Sequence, residues 1–135
     1  MLLSTFLVED KPDIRESMVE SMEEVAPVKF VGHADTESAA RQWLRNNNAN
    51  WELVIVDLFL AEGSGFGVLE DCQTRKPNQK VVVLTSYNDQ LIASKCMKLG
   101  ADMVFDKACE LDLLVAFCRL HAEQLDETGS TRALH

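Results

Sequence analysis

The chain has 135 residues, the length of one ordinary domain, and a domain of that size folds without a disulfide or metal staple. With 47% hydrophobic and 26% charged residues it reads as globular, which excludes a disordered chain. Twenty-two acidic against thirteen basic side chains leave a net charge of −9, which argues against nucleic acid, since affinity for phosphate backbones comes from clustered Lys and Arg.

Strand-like and helix-like segments alternate from end to end. The first apolar run, Leu2–Val8, leads into Glu9-Asp10; Ile14, Met18, Met22 and Val25 then recur at helical spacing, with Pro12 in the first turn. Val28–Val31 reads as a second strand. Asp35-Thr36 offers caps for a helix through Ala39, Ala40, Trp43 and Leu44, which stops at the Asn46-Asn47-Asn48 loop. Leu53–Val56 is the third strand, followed by the glycine-rich loop Gly63–Gly67 and a helix through Val68, Leu69 and Cys72. Val81–Leu84 is the fourth, and a helix from about Asn88 to Leu99 ends at Gly100, a natural left-handed cap. The last strand, Met103–Phe105, precedes a helix holding Leu113, Leu114, Phe117, Leu120, His121 and Leu125. Residues 126–135 are polar and are expected to form a loose tail after a domain spanning 1–125.

Alternating β and α elements imply a parallel sheet with helices on both faces. Val28–Val31 carries Lys29 and Met103–Phe105 is brief, so these two take the edges and the three more apolar strands the centre. The predicted fold is α/β, a flavodoxin-like doubly wound sheet of five strands in the order 2-1-3-4-5. Trp43, Trp51, Met18 and Met22 read as packing residues, and no role falls to His33, His121 or His135. Cys72, Cys96, Cys109 and Cys118 contain no C-x-x-C pair, which is wrong for zinc; they read mostly as small core hydrophobes in a reducing, cytoplasmic protein. The apolar start lacks a basic flank and is too short for a signal peptide, and no run approaches a membrane span.

In an open α/β sheet the ligand sits beyond the carboxyl ends of the strands, so the residues that follow each strand are the candidates. They are Glu9 and Asp10 after the first, Asp57 after the third, Thr85 and Ser86 after the fourth, and Asp106 and Lys107 after the fifth. Converging carboxylates resist joint ionisation unless a cation neutralises them, and a hard divalent ion with oxygen ligands does so.

This set resembles the receiver domain of two-component response regulators, the chemotaxis-regulator-like fold, over residues 2–125. The signature is Glu9-Asp10, the Asp of Val54-Ile55-Val56-Asp57-Leu58, the Thr of Val83-Leu84-Thr85-Ser86, and Lys107. The resemblance implies a signalling domain rather than an enzyme, in which Asp57 accepts a phosphoryl group from a sensor histidine kinase or a histidine phosphotransfer protein. It implies Mg²⁺ (or Mn²⁺) held by Asp10, Asp57 and the backbone carbonyl of Phe59, with Glu9 acting through water. Lys107 supplies a positive point and Thr85 a hydroxyl donor. A downstream protein is expected on the face of the fourth helix, fifth strand and fifth helix. The chain is expected to act as a stand-alone monomer or weak homodimer, with neither nucleic acid nor membrane as partner.

Several positions depart from the family's pattern. Ala61 replaces a proline four residues after Asp57, so that loop is expected to be mobile, while the glycine eight after it is kept as Gly65. Ala108 replaces the proline after Lys107, so the familiar cis bond is not expected. Val104 replaces the aromatic switch residue, with Phe105 one place later. Phe59 and Tyr87 lie two residues beyond Asp57 and Thr85, and an apolar Phe59 cannot orient an attacking water, which predicts a long-lived phosphoryl state.

Three rivals compete. A flavodoxin-like electron carrier needs a glycine- and hydroxyl-rich phosphate loop where Glu9-Asp10-Lys11-Pro12 stands. A haloacid-dehalogenase-type phosphatase needs a second Asp where Phe59 stands. A receiver-like interaction module that works without phosphorylation is the strongest alternative.

Overall fold

A computed structural model of the chain describes residues 1–87 and 89–133, with side chains of 129–133 outside that description. Five strands and five helices alternate. They are β1 (Leu3–Val8), α1 (Pro12–Val25), β2 (Val28–Ala34), α2 (Glu37–Asn46), β3 (Leu53–Val56), α3 (Gly65–Asp71), β4 (Lys80–Thr85), α4 (Gln90–Lys98), β5 (Met103–Asp106) and α5 (Leu111–Ala133). All four pairings are parallel and the order is β2-β1-β3-β4-β5, as the alternation predicts.

The period of two along each strand splits the core. Phe6 and Val8, Val54 and Val56, and Val81 and Val83 face one way, under Leu44 of α2, Val68 and Leu69 of α3 and Cys96 of α4. Leu3 and Leu7, Leu53 and Ile55, and Val82 and Leu84 face the other way, under Met18 and Met22 of α1 and Leu114, Cys118 and Ala122 of α5. Burial on both faces is why the central strands read as unbroken apolar runs. Trp51 is buried, and the Trp43 ring stacks on Phe6 with centroids 4.0 Å apart, so both tryptophans are packing residues.

Local signals account for the helix ends. Pro12 occupies the first turn of α1, Thr36 Oγ1 accepts the Ala39 N–H at 3.1 Å, and Gly100 closes α4 at φ 101°. The start of α4 is Asp89, whose carboxylate accepts the Ile92 N–H at 2.8 Å; the expected start at Asn88 lies outside the described residues. Val25, the last member of the α1 stripe, is exposed because the helix ends there.

Several boundaries differ from those predicted: β1 begins at Leu3, β4 takes in Lys80 and Thr85, and α3 ends at Asp71, before Cys72. β2 runs on through Gly32 and His33 to Ala34, because it pairs with the whole of β1. β5 extends to Asp106, paired with Thr85. Residues 126–133 are helical rather than a loose tail: α5 continues, with Leu125 packed on the core and Thr128 Oγ1 donating to the Gln124 carbonyl at 2.9 Å. Residues 134–135, including His135, lie outside the described residues.

His121 is buried in α5, its Nε2 3.0 Å from the Glu52 carbonyl, a structural role that sequence reasoning did not assign. Burial lowers its pKa below the ordinary 6.5, with the Lys80 charge acting in the same direction, and outweighs the Glu52 and Asn78 backbone contacts and the Asp102 charge. Because the folded value is the lower one, the neutral ring's contribution is present above pH 6.5 and is lost as pH falls through that value. The urea midpoint is therefore expected to drop between about pH 7.5 and about pH 5.5, and H121Q is expected to flatten the drop. An equal drop in both proteins assigns the effect to other groups.

Candidate functional site

The carboxyl ends of β1, β3, β4 and β5 assemble the site through backbone pairing. The Asp57 N–H donates to the Val8 carbonyl at 3.0 Å, one rung beyond β3, which sets Asp57 beside the β1 end. The Lys107 N–H donates to the Thr85 carbonyl at 2.9 Å and does the same for the β4 and β5 ends. Behind Asp57 the chain turns back at Gly65, whose N–H donates to the Leu58 carbonyl at 2.9 Å. A Cβ on Gly65 would clash with the Asp57 carbonyl oxygen and stand 2.8 Å from Leu58 Cα, so glycine is required for the close approach.

Glu9, Asp10 and Asp57 each place a carboxylate oxygen within 4.8 Å of the others. Lys107 Nζ joins them, paired with Glu9 Oε1 and 3.3 Å from Asp57 Oδ2. Glu9 is only 1% exposed, and burial raises its carboxyl pKa against the opposing pull of Lys107. Burial pulls the Lys107 ammonium down, but the hydrogen bond to Glu9 and the charge of Asp57 outweigh it and leave the pKa raised. The lysine therefore stays an ammonium and is the protein's own counter-ion to the acids.

One ammonium facing three carboxylates leaves negative charge to be balanced. Asp10 Oδ2 accepts the Ala61 N–H at 3.0 Å, whereas Asp10 Oδ1 is buried with no hydrogen-bond partner. A buried acceptor left unpaired is costly, and an oxygen-seeking divalent cation satisfies it. The donor set fits Mg²⁺ or Mn²⁺.

The remaining predicted residues stand around this cluster. Thr85 is fully buried, and its Oγ1 accepts the Tyr87 N–H at 3.1 Å. The Phe59 N–H donates to Asp57 Oδ1 at 3.3 Å, which keeps its main chain against the phosphoacceptor candidate. Phe105 is buried toward α5, its ring 6.1 Å from that of Phe117, while Val104 packs on the opposite face. Alternation therefore prevents Phe105 from standing in for an aromatic at 104.

Glu37 is a positioning residue that sequence reasoning missed. Its Oε1 accepts the Ser64 N–H at 2.9 Å and its own N–H donates to the Glu62 carbonyl at 3.2 Å, which ties α2 to the loop after Asp57. With the Asp10–Ala61 bond and the Phe59–Ser64 bridge, these contacts oppose the mobility expected from Ala61. The turn that carries Ala108 is braced by Asp106, whose Oδ1 accepts the Ala108 N–H at 2.8 Å, and by Glu110, whose Oε1 accepts the Asp106 N–H at 2.8 Å. No cis peptide bond occurs among the described residues, and no helix among them is long and apolar enough to cross a membrane.

Known proteins resemble this chain in sequence and in fold. The transcriptional regulatory protein CitB of Klebsiella pneumoniae is 27% identical over 104 residues, covering 77% of this chain and 42% of CitB. A cyclic di-GMP phosphodiesterase of Thermotoga maritima is 29% identical over 112 residues, covering 83% of this chain and 29% of the enzyme. The chain thus spans less than half the length of either relative. The solved receiver domain of a putative LuxO repressor protein from Vibrio parahaemolyticus superposes with a TM-score of 0.79 at 21% identity, over 97% of this chain and 98% of that one, a likeness of fold. The sequence profile of the response regulator receiver domain matches residues 5–119, and the chain belongs to that family.

Proposed function

We propose that Asp57 accepts a phosphoryl group from a histidine kinase or histidine phosphotransfer protein, and that the modification switches binding of a downstream protein. The observation that carries this reading is the gathering of Glu9, Asp10 and Asp57 within 4.8 Å around Lys107, with Asp10 Oδ1 unpaired. An Asp57 carboxylate oxygen attacks phosphorus, the bond from phosphorus to the donor's imidazole nitrogen breaks, and that nitrogen leaves with the electron pair. Glu9, Asp10, Asp57 and the Phe59 carbonyl would hold Mg²⁺ or Mn²⁺, which supplies positive charge for the phosphoryl oxygens. Lys107 keeps an ammonium beside the attacked site, and Thr85 offers a hydroxyl donor from the neighbouring strand.

The added group brings roughly −1.5 to −2 charge and strong acceptor oxygens. Lys107 and Thr85 share a backbone bond, so drawing them toward it moves the loops after β4 and β5 together. Leu91 and Met97 of α4, Met103 of β5 and Leu113 and Leu120 of α5 are exposed, which supports a protein partner on that face. A cytoplasmic monomer or weak homodimer without nucleic-acid contacts completes the reading.

Incubation with Mg²⁺ and acetyl phosphate is expected to add the mass of one phosphoryl group, and D57N to add none. An unmodified wild-type protein, or a variant that still takes up the group, overturns the assignment. Phe59 offers no polar side-chain atom to orient water, so the phosphoryl group is expected to be long-lived. F59N is expected to shorten its lifetime severalfold, followed by mass after donor removal; an unchanged lifetime removes Phe59 from that role.

A further inference from the structure

Two exposed aromatic rings meet beside the acidic cluster. Phe59 is 46% and Tyr87 63% exposed, and their centroids lie 4.8 Å apart, edge to face at 69°. Each ring follows a residue of the proposed chemistry by two positions, and each backbone N–H donates to that residue's side chain. Phe59 donates to Asp57 Oδ1 at 3.3 Å and Tyr87 to Thr85 Oγ1 at 3.1 Å. Two turns of the same construction, one after β3 and one after β4, thus face each other and are joined by the ring contact.

We propose that Phe59 and Tyr87 form an aromatic clamp that holds both turns in their unmodified arrangement and opens when Asp57 is phosphorylated. The inference rests on Asp57 being the phosphoacceptor. Phosphorylation changes both anchors: a carboxylate oxygen that becomes bonded to phosphorus is a poorer acceptor, and new phosphoryl oxygens accept the Thr85 O–H, which redirects the side chain whose Oγ1 accepts the Tyr87 N–H. Thr85 is fully buried, so turning it toward the new group pulls it from the Tyr87 N–H, and the ring that N–H positions goes with it. An edge-to-face contact depends on ring orientation, so movement of one turn is felt by the other. The two aromatics are positioning residues, acting through Asp57 and Thr85.

Tyr87 is the single tyrosine of the chain, so biosynthetic incorporation of fluorotyrosine gives one fluorine resonance that reports the clamp. In the full chain with Mg²⁺ and acetyl phosphate, that resonance is expected to move in step with the phosphoryl mass. F59A is expected to displace the unmodified resonance toward the phosphorylated position and to speed uptake on the order of two- to tenfold, the range that one aromatic contact spans. F59W, which keeps a ring and adds no second tyrosine, is expected to restore wild-type resonance and rate. If the mass appears while the resonance stays still, or if F59A takes up phosphoryl at the wild-type rate, the clamp is wrong and Asp57 remains the acceptor. If no mass appears on the wild-type chain, the Asp57 reading fails and the clamp fails with it.

Discussion

Replacing Lys107 with Met is expected to destabilise the protein by about 3 kcal/mol when divalent cations are chelated, because breaking a buried ion pair leaves uncompensated charge. Methionine keeps the length of the stem and removes only the ammonium. Glu9 is almost fully buried and Asp57 nearly so, and Lys107 Nζ pairs with both. With the lysine gone, the three carboxylates within 4.8 Å lose their internal cation, and a bound divalent ion becomes their sole source of balance. Added Mg²⁺ is therefore expected to raise the urea midpoint of K107M by more than it raises that of the wild type, since a ligand bound only to the native state stabilises it by mass action. Urea titrations with chelator and with Mg²⁺ decide the matter. Equal Mg²⁺ gains in the two proteins show that lysine and metal do not share this site. Phosphoryl uptake is expected to fall in the variant even with Mg²⁺ present, because the ammonium beside Asp57 is lost.

The second large effect is expected at a position with no chemistry of its own. G65A places a methyl against the Asp57 carbonyl oxygen, 2.8 Å from both Leu58 Cα and Val56 Cγ1. Two of those three neighbours are backbone, which cannot turn aside, so the β3–α3 connection must shift. Overpacking of this kind costs roughly 1–3 kcal/mol, and the upper end is expected here. The shift also moves Asp57, and a displacement of about 1 Å at a reacting group slows the step on the order of 10²-fold. G67A is the comparison: the added methyl meets the ends of Glu37 and Arg41, which can move aside but at some cost to the Glu37–Ser64 bond, so smaller losses of stability and uptake than those of G65A are expected. Urea midpoints and phosphoryl mass against time separate the two variants. A G65A protein with wild-type stability and rate shows that the turn accepts a side chain.

The overall architecture was legible because it is written in local chemistry. Leu53–Val56 and Val81–Leu84 are apolar without interruption, which only a strand covered on both faces requires, and the lysine in Val28–Val31 marks an edge. Given that topology, Glu9, Asp10, Asp57, Thr85 and Lys107 could be named from their place at or just after strand ends. Boundaries were less legible where a partner decides them. β2 reaches Ala34 because β1 is there to pair with it, and α5 passes Asp126 because Leu125 has core to pack on.

What the amino-acid order determines by itself is the sequence of elements, their inner faces and the list of polar residues at strand ends, since each depends on neighbours a few positions away. Which of those residues touch is decided only by the folded chain. Lys107 meets Glu9 across 98 positions, Ala61 meets Asp10 across 51, and Ser64 meets Glu37 across 27. The physical reason is that right-handed crossovers bring distant strand ends to one edge of the sheet, and side-chain hydrogen bonds form only after they arrive. The same holds for the Phe59–Tyr87 contact and for the inward turn of Phe105, where the pleat of the strand, rather than the identity of the residue, sets the direction.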